Sequence, residues 1–406
     1  MRQRAVRTAL LSLAVTAVLG ATTAGTALAP AYAAGPATAT TATAPGRERG
    51  SGHEATRAAL RRLVEEGRLP GAAAVARDGR GTWFGSAGVA DTGTGAKRTA
   101  DDRFRAASIT KVFIATVLLQ LAAEGRLGMD DTVEKWLPGL VRGNGNDGRR
   151  VTLRQLLNHT SGIPNHTEDP AFQHNSSGKG FPEHRYDTHT PESLVALAMT
   201  YPPRSAPGEK PVYSNTNYVL AGLVIEKATG RTYAEEVTRR VIEPLGLRGT
   251  SFPGTGARMP APHPVGYSRF HDDAPDAPVH DATEQNMTWL GAAGDLISTA
   301  GDLDRFHRAL FRGDLLPPDR LAEMLDGVPG QGGMRYGLGV QSAELTCGVT
   351  VVGKDGRTNG SMSATVGTVD GRHQLTFNIN GDWLQDTSLY FDVMEAEFCG
   401  KVPGRS

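Results

Sequence analysis

The chain has 406 residues, 39% of them hydrophobic, and its 43 basic and 43 acidic side chains cancel to a formal net charge of zero. That balance leaves no basic field to hold nucleic acid, and two cysteines are too few for a disulfide scaffold or a Cys-rich metal site. With 50 Gly and 24 Pro the chain is loop-rich, yet its aliphatic segments are too abundant for a disordered protein.

The N-terminus has the three parts of an export signal. Arg2, Arg4 and Arg7 precede a short apolar core at residues 10–19, and Ala31-Tyr32-Ala33 forms a cleavage signal before Ala34. Small residues at 21–27 argue against a membrane anchor. No Arg-Arg pair is present in this basic first stretch, which favours the general export route. A signal peptide at 1–34 is therefore expected, with no stable membrane span after cleavage and a secreted, extracellular or cell-wall-associated product. Residues 35–52 are Ala, Thr, Pro and Gly with few large apolar side chains, the composition of a disordered tether.

From residue 53 the pattern is that of one folded domain. Ala59, Leu60, Leu63 and Val64 predict a helix over 55–66, stopped at Gly67. Two β-like runs follow at 72–77 and 82–89, joined at Asp78-Gly79. The longest apolar helical run of the mature chain spans 108–124. Helical patterns recur at 151–158, 191–201, 218–229, 233–242, 302–311 and 319–325. The polar segment 165–190 reads as a surface loop. Strands return at 336–340, 349–353, 362–369 and 374–379, with a turn at Asp370-Gly371, and a last helix is expected near 388–398. The fold class is α/β: an antiparallel sheet flanked by helices, built from about 53–107 and 330–400. An all-helical region is inserted at about 112–325.

Three short motifs can carry chemistry. Ser108-Ile109-Thr110-Lys111 is Ser-x-x-Lys at the start of the apolar helix, and the i, i+3 spacing puts hydroxyl and amine on one face. A helix N-terminus favours developing oxyanion charge, and a lysine held near apolar surface can act as a base. A second match, Ser176 to Lys179, lies in a polar loop without such a helix. Tyr213-Ser214-Asn215 precedes another helix; a phenol can relay a proton and an amide can orient a substrate. Lys354-Asp355-Gly356 lies in a β-like stretch, where Gly356 and Gly360 allow close backbone approach. Read singly, each has an ordinary structural alternative: a helix cap, a helix-entry loop and a turn.

Taken together and in this order, the motifs resemble those of the penicillin-recognising serine hydrolases, the serine D-Ala-D-Ala carboxypeptidases and class C β-lactamases. The resemblance extends to residues 156–164 (Leu-Leu-Asn-His-Thr-Ser-Gly-Ile-Pro), 244–247 (Pro-Leu-Gly-Leu) and 336–339 (Tyr-Gly-Leu-Gly). It implies Ser108 as acylated nucleophile, Lys111 as its base and Tyr213 as proton shuttle. Asn215 would hold the acyl-side amide, and Lys354, Asp355, Gly356 and Arg357 would line the cleft. The backbone N–H groups of Ser108 and Arg357 would form the oxyanion hole. Trp289 resembles a cleft-wall aromatic, with a packed core tryptophan as the alternative. Cys347 and Cys399, 52 apart, are expected to be joined after export, as in secreted members of the family.

Two positions depart from the family pattern. Asp355 replaces the usual Thr or Ser, and Gln341-Ser342-Ala343 lacks the arginine with which close relatives grip a substrate carboxylate. Five of the eleven histidines (His159, His166, His174, His184, His189) cluster in sequence but form no compact metal pattern. No metal, cofactor or nucleic-acid partner is expected. The expected partner is a small-molecule or peptide substrate (a D-Ala-ended peptide, a β-lactam or an ester), and the chain should be a monomer. The leading reading is a D-alanyl-D-alanine carboxypeptidase. A β-lactamase, a D-amino-acid peptidase, an esterase and a non-catalytic binding module stand as alternatives.

Overall fold

A computed structural model describes residues 52–401 except 273 and 275. The signal peptide read at 1–34, and all but the last residue of the tether, lie outside the described residues.

Helix α1 (Glu54–Gly67) ends at Arg68, which takes the left-handed conformation (φ 52°) and returns its N–H to the Val64 carbonyl. Strands β1 (Gly71–Asp78) and β2 (Gly81–Gly88) pair antiparallel with Asp78 opposite Gly81, so Gly79 and Arg80 form the two-residue turn. The chain then crosses a helical half containing α2 (Thr110–Ala123), α3 (Asn215–Thr229) and α4 (Ala300–Phe311). It returns through β3 (Val328–Pro329), β4 (Arg335–Tyr336), β5 (Gln341–Glu344), β6 (Thr350–Thr358), β7 (Ser361–Thr368) and β8 (Gln374–Ile379). Helix α5 (Ser388–Cys399) follows.

The eight strands form one sheet in the order β2-β1-β8-β7-β6-β5-β4-β3, with every neighbouring pair antiparallel. β8 pairs with β1 over six residues, Ala72 opposite Ile379, so the first and last strands that the described chain adds to this sheet lie side by side. One sheet face packs on α1 and α5 through Leu60, Leu63, Phe377, Tyr390 and Val393. The second core lies between the sheet and the helical half, where Val75 and Val352 meet α2, α3 and α4. Residues 110–119 of α2 are all buried, because this helix is the centre of that core and not an amphipathic cover. Phe113 stacks on Phe306 of α4 with centroids 3.7 Å apart.

Several sequence expectations are corrected. The inserted region is not all-helical: it carries strand pairs Arg142–Gly143 with Asn146–Asp147, and Tyr267–Ser268 with His280–Asp281. Gly143 and Gly145, at φ 102° and 89°, make the first reversal possible. Segment 165–190 is not a bare loop, since it contains helices Pro170–Ser176 and Phe181–His184 and the fully buried His166. The strand expected at 336–340 is broken at Gly337, whose N–H bonds the Val340 carbonyl. At Gly339 (φ 83°) a Cβ would lie 2.5 Å from that of Ala115, so only glycine lets this turn rest on α2. Cys347, after β5, and Cys399, at the end of α5, are bonded with Cα atoms 5.7 Å apart.

Candidate active site

Ser108 lies on a 3-10 turn, Ala107–Ile109, that feeds directly into α2. Ala107 is held at φ 48°, a conformation that costs a non-glycine residue energy and persists only when its surroundings enforce it. One enforcing neighbour is Gly356 on β6. A Cβ there would lie 2.1 Å from the Ala106 carbonyl oxygen and 3.1 Å from the Ser108 nitrogen. The third motif thus needs its glycine for contact between strand and nucleophile turn.

Lys111 is the second residue of α2, one turn on from Ser108, and is 1% exposed. Its Nζ lies 3.0 Å from Ser108 Oγ, 2.8 Å from Asn215 Oδ1 and 2.7 Å from the Ala293 carbonyl. Burial, reinforced by the like charge of Lys354, holds this amine well below the ordinary lysine range. A neutral amine has two N–H groups and one lone pair. Its donors match Asn215 Oδ1 and the Ala293 carbonyl, which leaves the lone pair facing the Ser108 hydroxyl.

The Tyr213 hydroxyl is 2.7 Å from Ser108 Oγ. Desolvation pushes this phenol well above its usual range, so it keeps its proton at neutral pH. The three groups therefore line up as Tyr213 O–H, Ser108 O–H and the Lys111 lone pair. His159 stacks on Tyr213 at 4.3 Å, and its Nδ1 accepts the Ser214 N–H at 3.2 Å. Burial, with Lys111 and Lys354 nearby, keeps this imidazole neutral.

Asn215 is the first residue of α3. Its backbone N–H donates to Asn165 Oδ1 and its Nδ2 to Thr167 Oγ1, both at 3.1 Å, which fixes the amide so that Oδ1 faces Lys111. Lys354 is 4% exposed, with Nζ 5.6 Å from the centre of the Tyr213 ring. Its amine binds Asp355 Oδ1 at 2.5 Å, and the Asp355 side chain is 21% exposed. The guanidinium of Arg357 donates to the Asp382 carbonyl at 2.5 Å. Trp289 is half-buried on a 3-10 turn, and its carbonyl lies 3.0 Å from His166 Nε2.

The structure thus gathers Ser108, Lys111, Tyr213 and Asn215 into direct contact and sets Lys354 against the Tyr213 ring. The second Ser-x-x-Lys stays apart: Lys179 pairs with Asp272 at 3.2 Å, and the Ser176 carbonyl accepts from Asn359. Sequence reading missed Asn165, Thr167 and the Ala293 carbonyl. Asn165-His166-Thr167 carries a local signal, because an asparagine two residues before a threonine can form an Asx turn. Nothing local marks Ala293. Among the described residues no group of three or more His, Cys, Asp or Glu could hold a metal, and no helix is long and apolar enough to cross a membrane.

The chain is also similar to proteins of known sequence and structure. A D-stereospecific amidohydrolase from Streptomyces sp. is 52% identical, with a TM-score of 0.81 over 86% of this chain and 99% of that one. The D-amino acid amidase of Ochrobactrum anthropi SV3, complexed with D-phenylalanine, is 27% identical with a TM-score of 0.73, covering 86% and 99%. Penicillin-binding protein 4* of Bacillus subtilis (strain 168) is 30% identical over 227 residues, 52% of this chain and 46% of that protein. The chain spans about half the length of the curated relatives it matches. The sequence pattern described as Beta-lactamase matches residues 56–380, from the first turn of α1 to the residue after β8. Because that match takes in both halves of the sheet and all three motifs, the chain belongs to the Beta-lactamase family of penicillin-recognising serine hydrolases.

Proposed function

We propose that this serine hydrolase cleaves amides and esters of D-configured acyl groups through an acyl-enzyme on Ser108. The observation that carries the reading is the buried Lys111 amine, 3.0 Å from Ser108 Oγ, with its donors directed to Asn215 and Ala293. The preference for D-acyl amides is supported by the 52% identity to the Streptomyces amidohydrolase.

In the first half-reaction Lys111 takes the Ser108 proton while Oγ bonds to the substrate carbonyl carbon. The backbone N–H groups of Ser108 and Arg357 hold the resulting oxyanion, aided by the positive end of α2. Tyr213 gives its proton to the departing nitrogen as the C–N bond breaks, and the Lys111 ammonium restores the phenol proton. Asn215 orients the acyl side. Water then attacks the ester with Lys111 again receiving the proton, and Ser108 is released. A protonated phenol beside a neutral amine is the state this cycle needs before substrate binds, and the shifts of Tyr213 and Lys111 both favour it.

The test is turnover of D- and L-phenylalanine amide and methyl ester by the parent and by Ser108→Ala. The D substrates should be hydrolysed, the L substrates should lag by on the order of a hundredfold, and the variant should be inactive. Preference for L substrates, or parental turnover by Ser108→Ala, defeats the reading.

D-Alanyl-D-alanine carboxypeptidase activity is the second reading, favoured by the similarity to penicillin-binding protein 4*. It requires the cleft to grip a free carboxylate, where this chain places Asp355. Export to the cell wall or medium is proposed from the signal at 1–34. N-terminal sequencing of protein from the medium should begin near Ala34.

A further inference from the structure

The chain from 289 to 296 touches the nucleophile helix and its supports at four points. The Trp289 carbonyl lies 3.0 Å from His166 Nε2, and the Ala293 carbonyl accepts from Lys111 Nζ at 2.7 Å. The Leu296 N–H donates to Thr110 Oγ1 at 3.2 Å, and the Leu296 carbonyl accepts the Ala106 N–H at 2.8 Å, two residues to either side of Ser108. We propose that Asp295, clasped by Tyr233, is a positioning residue for this segment: it fixes the Ala293 carbonyl on Lys111 and so aims the lone pair of the base at Ser108. The proposal rests on the reading of Lys111 as base given above.

The segment needs an anchor. Its backbone is a run of 3-10 turns, Met287–Trp289 and Gly291–Ala293, closed by the Asp295 N–H on the Gly291 carbonyl at 3.0 Å. Such short turns have poor hydrogen-bond geometry and hold weakly by themselves. The Asp295 side chain, in a residue only 3% exposed, reaches outside the segment, where its Oδ2 accepts the Tyr233 hydroxyl at 2.5 Å. Tyr233 opens the helix Tyr233–Val237, whose start is locked by a capping box between Thr232 and Glu235. The Tyr233 ring meets Phe252 edge-on at 5.6 Å. Gly222 of α3 admits Ala292, since a Cβ at 222 would lie 2.6 Å from that of Ala292 and 3.3 Å from the Tyr233 ring. The segment is thus pressed on α3, the helix that begins at Asn215. Both acceptors of the Lys111 amine therefore share one support.

Asp295 is also a group that the fold keeps at a cost. Burial raises its carboxyl to about 7, which lowers stability at neutral pH and above, and an amide or an apolar side chain would escape that penalty. Arg105 is the cation that acts on Asp295, and Glu226 is the anion that acts on Tyr233. A carboxyl oxygen can accept the Tyr233 O–H whether or not the acid is protonated. What the reaction needs at this position is an acceptor, and not a charge.

The experiment measures kcat, KM and the pH profile of kcat/KM for D-phenylalanine amide. Tyr233→Phe and, separately, Asp295→Leu should lower kcat by about tenfold or more, with KM changed by less than about threefold. Asp295→Asn, which keeps an acceptor for the hydroxyl, should recover kcat to within about threefold of the parent. A carbonyl at Nζ favours the ammonium over the amine, so its loss should move the acid limb to lower pH in Tyr233→Phe and Asp295→Leu. The position of that limb does not depend on how much of the protein is folded, which separates positioning from a loss of stability. A lowered kcat with an unmoved limb, a parental kcat in Tyr233→Phe, or an Asp295→Asn as slow as Asp295→Leu overturns the clasp alone. Absence of turnover of D-phenylalanine amide by the parent overturns the acyl-hydrolase reading and the clasp with it.

Discussion

Replacing Asp355 with threonine should restore recognition of substrates that end in a free carboxylate. In the structure the Lys354 amine is 2.5 Å from Asp355 Oδ1, so the cation that would attract a carboxylate is already paired. Two like unit charges about 4 Å apart repel by about 1 kcal/mol in water and by about 4 kcal/mol at an effective dielectric of 20. With the Asp355 side chain 21% exposed, the relevant value lies between these limits, at about 2 kcal/mol. That corresponds to roughly thirtyfold in kcat/KM. The assay compares one D-acyl group joined to glycine and to glycinamide, so that only the terminal charge changes. The parent should favour the glycinamide, and Asp355→Thr should raise kcat/KM for the acid by about ten- to thirtyfold, with less than about a threefold change for the amide. A parent that already prefers the acid, with neither substrate responding to Asp355→Thr, refutes this reasoning.

Other perturbations follow from the same geometry. Lys354→Gln removes the cation that helps hold the Lys111 amine low. Because neutral Lys111 is the active form, the acid limb of the pH–kcat/KM profile should move to higher pH; an unmoved or lowered limb contradicts the assignment of Lys111 as base. Asp295 is buried and raised to about 7 while its carboxylate accepts the Tyr233 hydroxyl at 2.5 Å. A carboxyl raised above its unfolded value contributes stability at low pH that is lost as pH climbs from about 4 through about 7. Asp295→Asn should therefore raise Tm at pH 8, by a gain no larger than about 4 kcal/mol, and that gain should vanish below pH 4. A constant Tm difference across this range would show that Asp295 does not titrate. The Cys347–Cys399 bridge closes a 52-residue span, worth roughly 4 kcal/mol in the chain-entropy model. Cys347→Ser with Cys399→Ser should lower Tm while sparing kcat, and peptide mapping that finds two free thiols in the parent would remove the premise.

The catalytic core was legible because its signals are local. Ser108 and Lys111 share one helix start, and an apolar run behind them marks a buried helix that would not ordinarily carry a lysine. Long-range partners were not legible. Residues 215–217 read as loop because Asn, Thr and Asn are polar, yet they open α3 with Thr216 and Asn217 fully buried. Their polar atoms are satisfied from fifty or more residues away, Thr216 Oγ1 by the His166 N–H and Asn217 Oδ1 by the Ser161 hydroxyl. The same partners turn segment 165–190 from an apparent surface loop into a wall of the site. For Asp355 both the charge and the flanking lysine were legible; that the Lys354 amine turns back onto this carboxylate was not.

The most direct test of the account is mass spectrometry of the protein quenched in acid during turnover of D-phenylalanine methyl ester. The account predicts a phenylalanyl adduct on the peptide containing Ser108, absent from Ser108→Ala and accumulating in any variant that slows deacylation. Turnover with no adduct on Ser108, or an adduct on another residue that survives in Ser108→Ala, would contradict it.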